Sequence, residues 1–332
     1  MSASAVPLID LAPFRAGDPG DRRGVAAAID RACREIGFLV VAGHGVPAEL
    51  SSAAMAVNEG LFALPIEEKM RYVPAGRAQR GYIAMGRQGL AYSLDKETPP
   101  DLFERFSIGR VDVPDDDYHR SRTGSFFVPN IWPERPAAWK PVMIDYYRAM
   151  AWLAATLMEA FAVALDLPAD FFADKIDRHV TALCVNHYPA QAEPPLPGQL
   201  RAGAHSDYGS LTILATGDAP GGLQVQDAAG TWHDVMPRPG AFIVNIGDLM
   251  AQWTNDRWVS TMHRVVNPPR EKALEAARTS LVFFHQPNDD AVVECLPSCT
   301  GPGSPPRYAP TTSGEHLMMK VNKQYMKAAD AA

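Results

Sequence analysis

The sequence predicts a mainly β protein with flanking helices, and three observations predict it. From about Val180 onward the hydrophobic period changes from helical to strand-like, in the short runs TALCVNHYP, HSDYGSLTILAT, GGLQVQDAAGTWHDV, AFIVNIGDLMAQWT, TMHRVVN and RTSLVFFHQP. Turn sequences such as GDAPGG, DAAG and RPG separate these runs, and short strands at regular spacing argue for a sandwich or a barrel. Before Val180, and again over residues 314–328, apolar residues recur at helical spacing instead. No linker divides the chain. The expected organisation is one domain over residues 1–332, with a helix-rich part (1–178), a β core (179–290) and a C-terminal segment and helix (291–332).

Taken in order, residues 6–13 read as a short strand and turn. Over residues 22–36, Val25, Ile29, Ala32, Cys33 and Ile36 form the stripe of an amphipathic helix, which Gly37 stops. Phe38 to Val41 is a short apolar run, read as a buried strand, and His44 between two glycines reads as a packing residue. Residues 47–64 form a second helix, with Leu50, Ala54, Val57, Leu61 and Leu64 on one face; Pro65 ends it and residues 66–69 begin a further turn. The stretch 81–108 spaces Tyr82, Tyr92, Phe103 and Phe106 among glycines, and core packing and pocket lining are both open for it. Residues 110–136 are polar, then proline-rich, and read as loop. Residues 137–167 form the longest helix, whose stripe of Trp139, Met143, Tyr146 or Tyr147, Met150, Leu153, Leu157 and Phe161 is core. The last helix offers Leu317, Met318 and Val321 as apolar contacts.

The bulk numbers exclude several classes of function. The chain has 332 residues, 47% hydrophobic and 21% charged, as a soluble globular protein with an ample core would. Its net charge is −7 and it has no basic run, so nucleic acid and anionic membrane are poor partners. The N-terminal sequence lacks the form of a signal peptide, and no apolar run approaches the roughly 18 residues that span a bilayer. Cys33, Cys184, Cys295 and Cys299 suggest a reduced, cytoplasmic protein, with a local Cys295–Cys299 disulfide as the alternative.

Chemistry concentrates in the segment HSDYGSLTIL, residues 205–214. On a strand, residues i and i+2 share a face, so His205 and Asp207 project together while Ser206 points away. An isolated His-x-Asp is ordinarily a surface pair at a strand end. Joined by His263 of TMHRVVNPPR, the pair becomes a 2-His-1-carboxylate set, which leaves positions open on Fe(II); zinc is an alternative on donor types alone. Farther on, Arg278 and Ser280 share one strand face, a guanidinium and a hydroxyl suited to gripping a carboxylate. His119, His179, His233, His285 and His316 lack matching partners in sequence and read as structural or solvated.

This ordered set resembles the isopenicillin N synthase-like family of Fe(II)- and 2-oxoglutarate-dependent dioxygenases. PLIDLAPF, GFLVVAGHGVP, FALPIEEK, NHYP and GGLQVQ resemble further landmarks of that family, so the likeness covers nearly the whole chain. It implies a double-stranded β-helix (jelly-roll, cupin-like) core, the choice among β architectures that spacing alone does not make. It implies Fe(II) on His205, Asp207 and His263, with 2-oxoglutarate as cosubstrate and O2 as oxidant. Arg278 and Ser280 would hold the distal carboxylate of 2-oxoglutarate, Asn186 and Tyr188 would contact the cosubstrate, and Phe284 would lie against the substrate. His187, between Asn186 and Tyr188, neighbours the same pocket, and Asp248 reads as structural. One departure stands out: NPPREKALEAA places Arg278 farther from His263 than the family pattern, as a small insertion in a hairpin would. Arg270 is nearer, but Lys272 rather than Ser follows it by two, so Arg278 takes the role.

The expected reaction is oxidation of a C–H bond of a small molecule, by hydroxylation or else desaturation or cyclisation, with succinate and CO2 as co-products. A monomer or weak homo-oligomer is expected. Two alternatives remain: an Fe(II) oxidase of the same family that uses no 2-oxoglutarate, and a non-catalytic binding module.

Overall fold

A period of two along buried strands sorts side chains onto two faces, and here the two faces meet different partners. The structure, a computed structural model, describes residues 6–74, 80–91, 98–217 and 222–330, excepting the side chains of 323–330; Tyr92 and part of the GDAPGG turn lie outside these. The chain opens with β1 (Leu8–Asp10), α1 (Ala12–Ala16), α2 (Pro19–Glu35), β2 (Phe38–Ala42), α3 (Ala48–Phe62) and α4 (Ile66–Met70). β3 (Gly81–Ile83), β4 (Glu104–Ile108), α5 (Asp117–Arg120), α6 (Trp139–Ala164) and α7 (Ala173–Ile176) follow. Then come β5 (Ala182–Tyr188), β6 (Ala202–His205), β7 (Leu211–Thr216), β8 (Leu223–Gln226), β9 (Trp232–Asp234) and β10 (Phe242–Ile246). α8 (Asp248–Trp253), β11 (His263–Val265), β12 (Arg278–His285), β13 (Val292–Val293), β14 (Thr311–Thr312) and α9 (Ser313–Asp330) complete it.

Among the described residues, eight strands form one sheet in the order β1-β2-β10-β7-β12-β5-β4-β3, and β6-β11-β8-β9 form a second. One face of the large sheet carries Leu39, Val41, Val185, Ile213, Leu281 and Phe283 into a core shared with α2, α3 and α6. The whole predicted stripe of α6 is buried there, Tyr146 and Tyr147 alike. The other face carries Phe38, Val40, Tyr188 and Ile243, which pack with Val225 and Val265 of the second sheet. The two facing sheets are the double-stranded β-helix core, and the space between them holds the site.

Local chemistry explains the element ends. The Asp18 side chain accepts from the amides of Gly20 and Asp21 and Pro19 occupies the first turn, so α2 begins earlier than its apolar stripe shows. Gly37 ends it at φ +65, and a Cβ there would stand 2.0 Å from the Val259 carbonyl oxygen. The region read as loop over 110–136 contains α5, started by Asp116, whose carboxylate accepts from the His119 amide. The segment after His263 is not a hairpin. β11 lies in the small sheet and β12 in the large one, so NPPREKALEAA is a crossing between sheets with a short 3-10 turn at Arg270–Lys272. The segment therefore spans the gap between two sheets and does not lengthen a turn.

α4 is tied to β4 by a buried ion pair: Lys69 Nζ stands 2.7 Å from Glu104 Oε2 and also donates to the Phe62 carbonyl, while Tyr82 donates to the same carboxylate. Removing one partner of a buried pair strands the other in low dielectric. Lys69→Met is expected to destabilise the fold by about 3–5 kcal/mol, read from urea unfolding; a loss under about 1 kcal/mol, the range of exposed pairs, would show that the pair is solvated.

Candidate active site

His205 is the last residue of β6 and His263 the first of β11, and the two are cross-strand partners. Their rings lie 4.3 Å apart between centroids. Asp207 stands beyond the end of β6, so strand alternation is not what aims it. The turn after the strand does so, pinned where the Asp248 and Leu249 amides donate to the carbonyls of Asp207 and Tyr208. Ser206 also borders the cavity instead of pointing away. Asp207 Oδ1 lies 3.8 Å from His205 Nε2 and 3.7 Å from His263 Nε2, and the three ligand atoms fall within 4.8 Å of one another.

Each of the three is held in a ligating form. His205 Nδ1 donates to the Gly203 carbonyl at 2.8 Å and His263 Nδ1 to the Thr261 carbonyl at 3.1 Å. A carbonyl only accepts, so both protons sit on Nδ1 and both Nε2 lone pairs face the centre. Burial, then the neighbouring His263, pushes His205 down to about 4, so that imidazole is neutral near pH 7. Burial would raise the Asp207 carboxyl, but the two imidazoles and two hydrogen bonds outweigh it and hold the group below the usual carboxylate range. Those bonds come from Thr212 Oγ1 at 2.6 Å and Asn245 Nδ2 at 2.7 Å, both to Oδ2. Thr212 and Asn245 face each other across β7 and β10. Sequence reasoning missed this clasp. Its signal was the lone asparagine inside the apolar strand FIVNI, which an apolar core would not otherwise admit.

The donor set fits a divalent cation with open positions: two imidazole nitrogens and one carboxylate oxygen, all on one side of the gap, with no Lys or Arg within ion-pairing distance of Asp207 among the described residues. Behind the metal centre, β12 sends Arg278, Ser280, Val282 and Phe284 into the same cavity, as period two requires, and β5 sends Asn186 and Tyr188. Arg278 is opposite Tyr188 in the ladder and its guanidinium lies 5.0 Å from that ring's centroid. Arg201, absent from the sequence reading, sits 5.8 Å from the ring and donates to the carbonyls of Pro189 and Ala276. His187 is on the opposite face of β5, stacked on Phe62 and bonded to Thr279, so it does not enter the cavity. Arg270 is spent on the carbonyls of Gln191 and Ala192. The cavity measures roughly 650 Å³, and Leu317, Met318 and Val321 of α9 form one wall.

A buried three-ligand metal centre beside an arginine pocket defines the class, a mononuclear metalloenzyme with an organic cosubstrate. Comparison with known proteins then supplies the family. The family described as "non-haem dioxygenase in morphine synthesis N-terminal" matches residues 6–135, and the "2OG-Fe(II) oxygenase superfamily" matches residues 180–287. The 2-oxoglutarate-Fe(II) type oxidoreductase hxnY of Emericella nidulans is 34% identical, over 99% of this chain and 93% of its own length. Validamycin A dioxygenase of Streptomyces hygroscopicus is 30% identical, over 97% of this chain and 87% of its own. Among solved structures, a full-length Neurospora crassa protein in complex with alpha-KG superposes with a TM-score of 0.84 at 32% identity, covering 96% of each chain. The chain belongs to the 2OG-Fe(II) oxygenase superfamily, and it is an Fe(II)- and 2-oxoglutarate-dependent dioxygenase.

The clasp on Asp207 predicts a metal-binding phenotype at a residue that touches no metal. Asn245→Ala is expected to weaken Mn(II) or Fe(II) binding by about 10- to 100-fold, measured by anaerobic calorimetry, with the unfolding midpoint little changed. Wild-type metal affinity in that variant would remove Asn245 from the site's support.

Proposed function

We propose that His205, Asp207 and His263 hold Fe(II), that Arg278 and Ser280 take the distal carboxylate of 2-oxoglutarate with Asn186 and Tyr188 beside it, and that the substrate lies against Phe284. What carries this reading is the convergence of three metal-ligand atoms and the Arg278–Ser280 pair on one cavity. Bound Fe(II) and 2-oxoglutarate supply the oxidising chemistry: dioxygen is consumed, 2-oxoglutarate becomes succinate and CO2, and a substrate C–H bond is oxidised. The chain supplies geometry. The two Nδ1–carbonyl bonds keep the Nε2 lone pairs aimed, and Thr212 and Asn245 keep Asp207 Oδ1 toward them.

Arg278 neutralises the far end of a dicarboxylate that would otherwise be costly to desolvate. The apolar side chains of α9 keep bulk water from the reacting end. Hydroxylation is the outcome this reading assigns. A single oxygenase domain fits the topology, since β1 to β4 from the first half of the chain complete the same sheet as β5, β7, β10 and β12. A reducing, cytoplasmic setting fits the cysteines, all four of them free.

The test is direct. His205→Ala, Asp207→Ala and His263→Ala are each expected to abolish succinate formation while the circular dichroism spectrum stays that of the parent; full turnover in any one removes that residue from the iron site. Arg278→Ala is expected to raise the 2-oxoglutarate Kd by about a hundred-fold to a few thousand-fold with metal affinity nearly unchanged. Arg270→Ala should have little effect, and the reverse pattern would transfer the cosubstrate role to Arg270.

A further inference from the structure

Beyond the residues assigned to iron and 2-oxoglutarate, the cavity wall carries charge of one sign. Its described lining includes Arg80, Arg105 and Arg278, and Asp207 supplies the only carboxylate. The protein as a whole is acidic, with net charge −7, so this is not a reflection of composition. With Fe(II) and 2-oxoglutarate bound, Asp207 and Arg278 bring the centre to formal neutrality. Arg105 lies outside that balance; the charged group near it on the described chain is the buried Asp101 carboxylate, which is occupied by the amides of Leu90 and Gly203.

Arg105 is built into place. In β4 it faces Asn186 of β5, which faces Ser280 of β12, so the three form one row across the cavity floor. Its Nε donates to Asn186 Oδ1 at 2.7 Å, and its guanidinium lies 5.1 Å from the centroid of Phe103. Among the described residues no carboxylate stands within ion-pairing distance of it. Nε is thus tethered, and the terminal nitrogens make no hydrogen bond to a described residue. Arg80 reaches the same wall because Gly109 has no side chain: a Cβ there would lie 2.3 Å from the Arg80 Nη2. Arg80 donates to the Phe126 carbonyl at 3.4 Å. The same lining also carries the apolar side chains of Val282, Leu214 and Phe284.

We propose that Arg105 binds an anionic group of the substrate, and that the substrate is a small organic acid with an apolar body. The proposal rests on the dioxygenase reading of the same cavity. Guanidinium pairs a carboxylate in a planar fork, which would fix the acid end and leave the apolar part toward the metal centre and Phe284. A neutral amide of the same shape fills the same space but gains no charge-assisted bond.

The experiment uses Mn(II)-substituted protein with 2-oxoglutarate, which does not turn over. Phenylacetate, cinnamate and octanoate are titrated by calorimetry against their primary amides. At least one acid is expected to bind more tightly than its amide, by about 10- to 100-fold. Arg105→Gln should remove that difference without changing the amide's affinity, and Arg105→Lys should keep part of it. Acids that bind no better than amides, including a panel in which nothing binds, overturn the proposal, as does a preference that survives Arg105→Gln. Wild-type protein that fails to bind Mn(II) and 2-oxoglutarate at all would bring down the dioxygenase reading first, and this proposal with it.

Discussion

A carboxylate buried to 6% exposure with no lysine or arginine against it among the described residues is the constraint on which the site depends. Such a group is expensive to desolvate and must be compensated. Here the compensation comes in two parts. Two hydrogen bonds satisfy Oδ2, and two imidazoles face Oδ1. The imidazoles are themselves pinned through Nδ1 to carbonyls and turn Nε2 toward the gap. A gap lined with an anionic oxygen and two lone pairs asks for a cation. A metal ion completes the electrostatics of the centre, so metal affinity and local stability are linked there.

The large sheet is the device that makes this burial possible. Its central strands alternate between a helix-backed core and the cavity, so β4, β5, β7, β10 and β12 each both anchor the sheet and line the cavity. β12 shows the division most plainly: Leu281 and Phe283 lock against α6, while Arg278, Ser280 and Phe284 face the cavity. The positions of these cavity groups are then as rigid as the core behind them, and only Asp207 depends on a pinned turn instead of a strand. The small sheet contributes the two histidines from adjacent strands, so the metal bridges elements that the backbone ladder already joins.

α9 adds a wall made from the far end of the chain. Lys320 pairs with Asp248 at 2.6 Å, and the Asp248 amide donates to the carbonyl of Asp207. The helix that closes the cavity is thereby connected, through one residue, to the turn that presents a metal ligand. Ser260 donates to the same Asp248 carboxylate. Asp248 reads as structural in the sequence, and its structure is that of a junction between wall and centre.

The sequence by itself determined what depends on short range. Period two from Val180 onward marked the core strands, and period 3.6 marked α2, α3 and α6. The Arg-x-Ser and Asn-x-Tyr spacings put each pair on one cavity-facing side of its strand. Local pattern also carried Arg278 over Arg270, because only Arg278 has serine two residues on. Tertiary structure decided what depends on which strands become neighbours. Asp207 reaches His205 through a turn held by α8, not through strand alternation. The meeting of Thr212 with Asn245 on Asp207 spans β7 and β10 and has no linear signature. The crossing of NPPREKALEAA between sheets looked like a hairpin because length alone does not say which sheet receives the next strand. His187 was ambiguous between two cavity residues until the ladder put it on the core face. The Arg105 row exists only because β4 pairs with β5, and strand pairing is long-range chemistry that a local pattern does not contain.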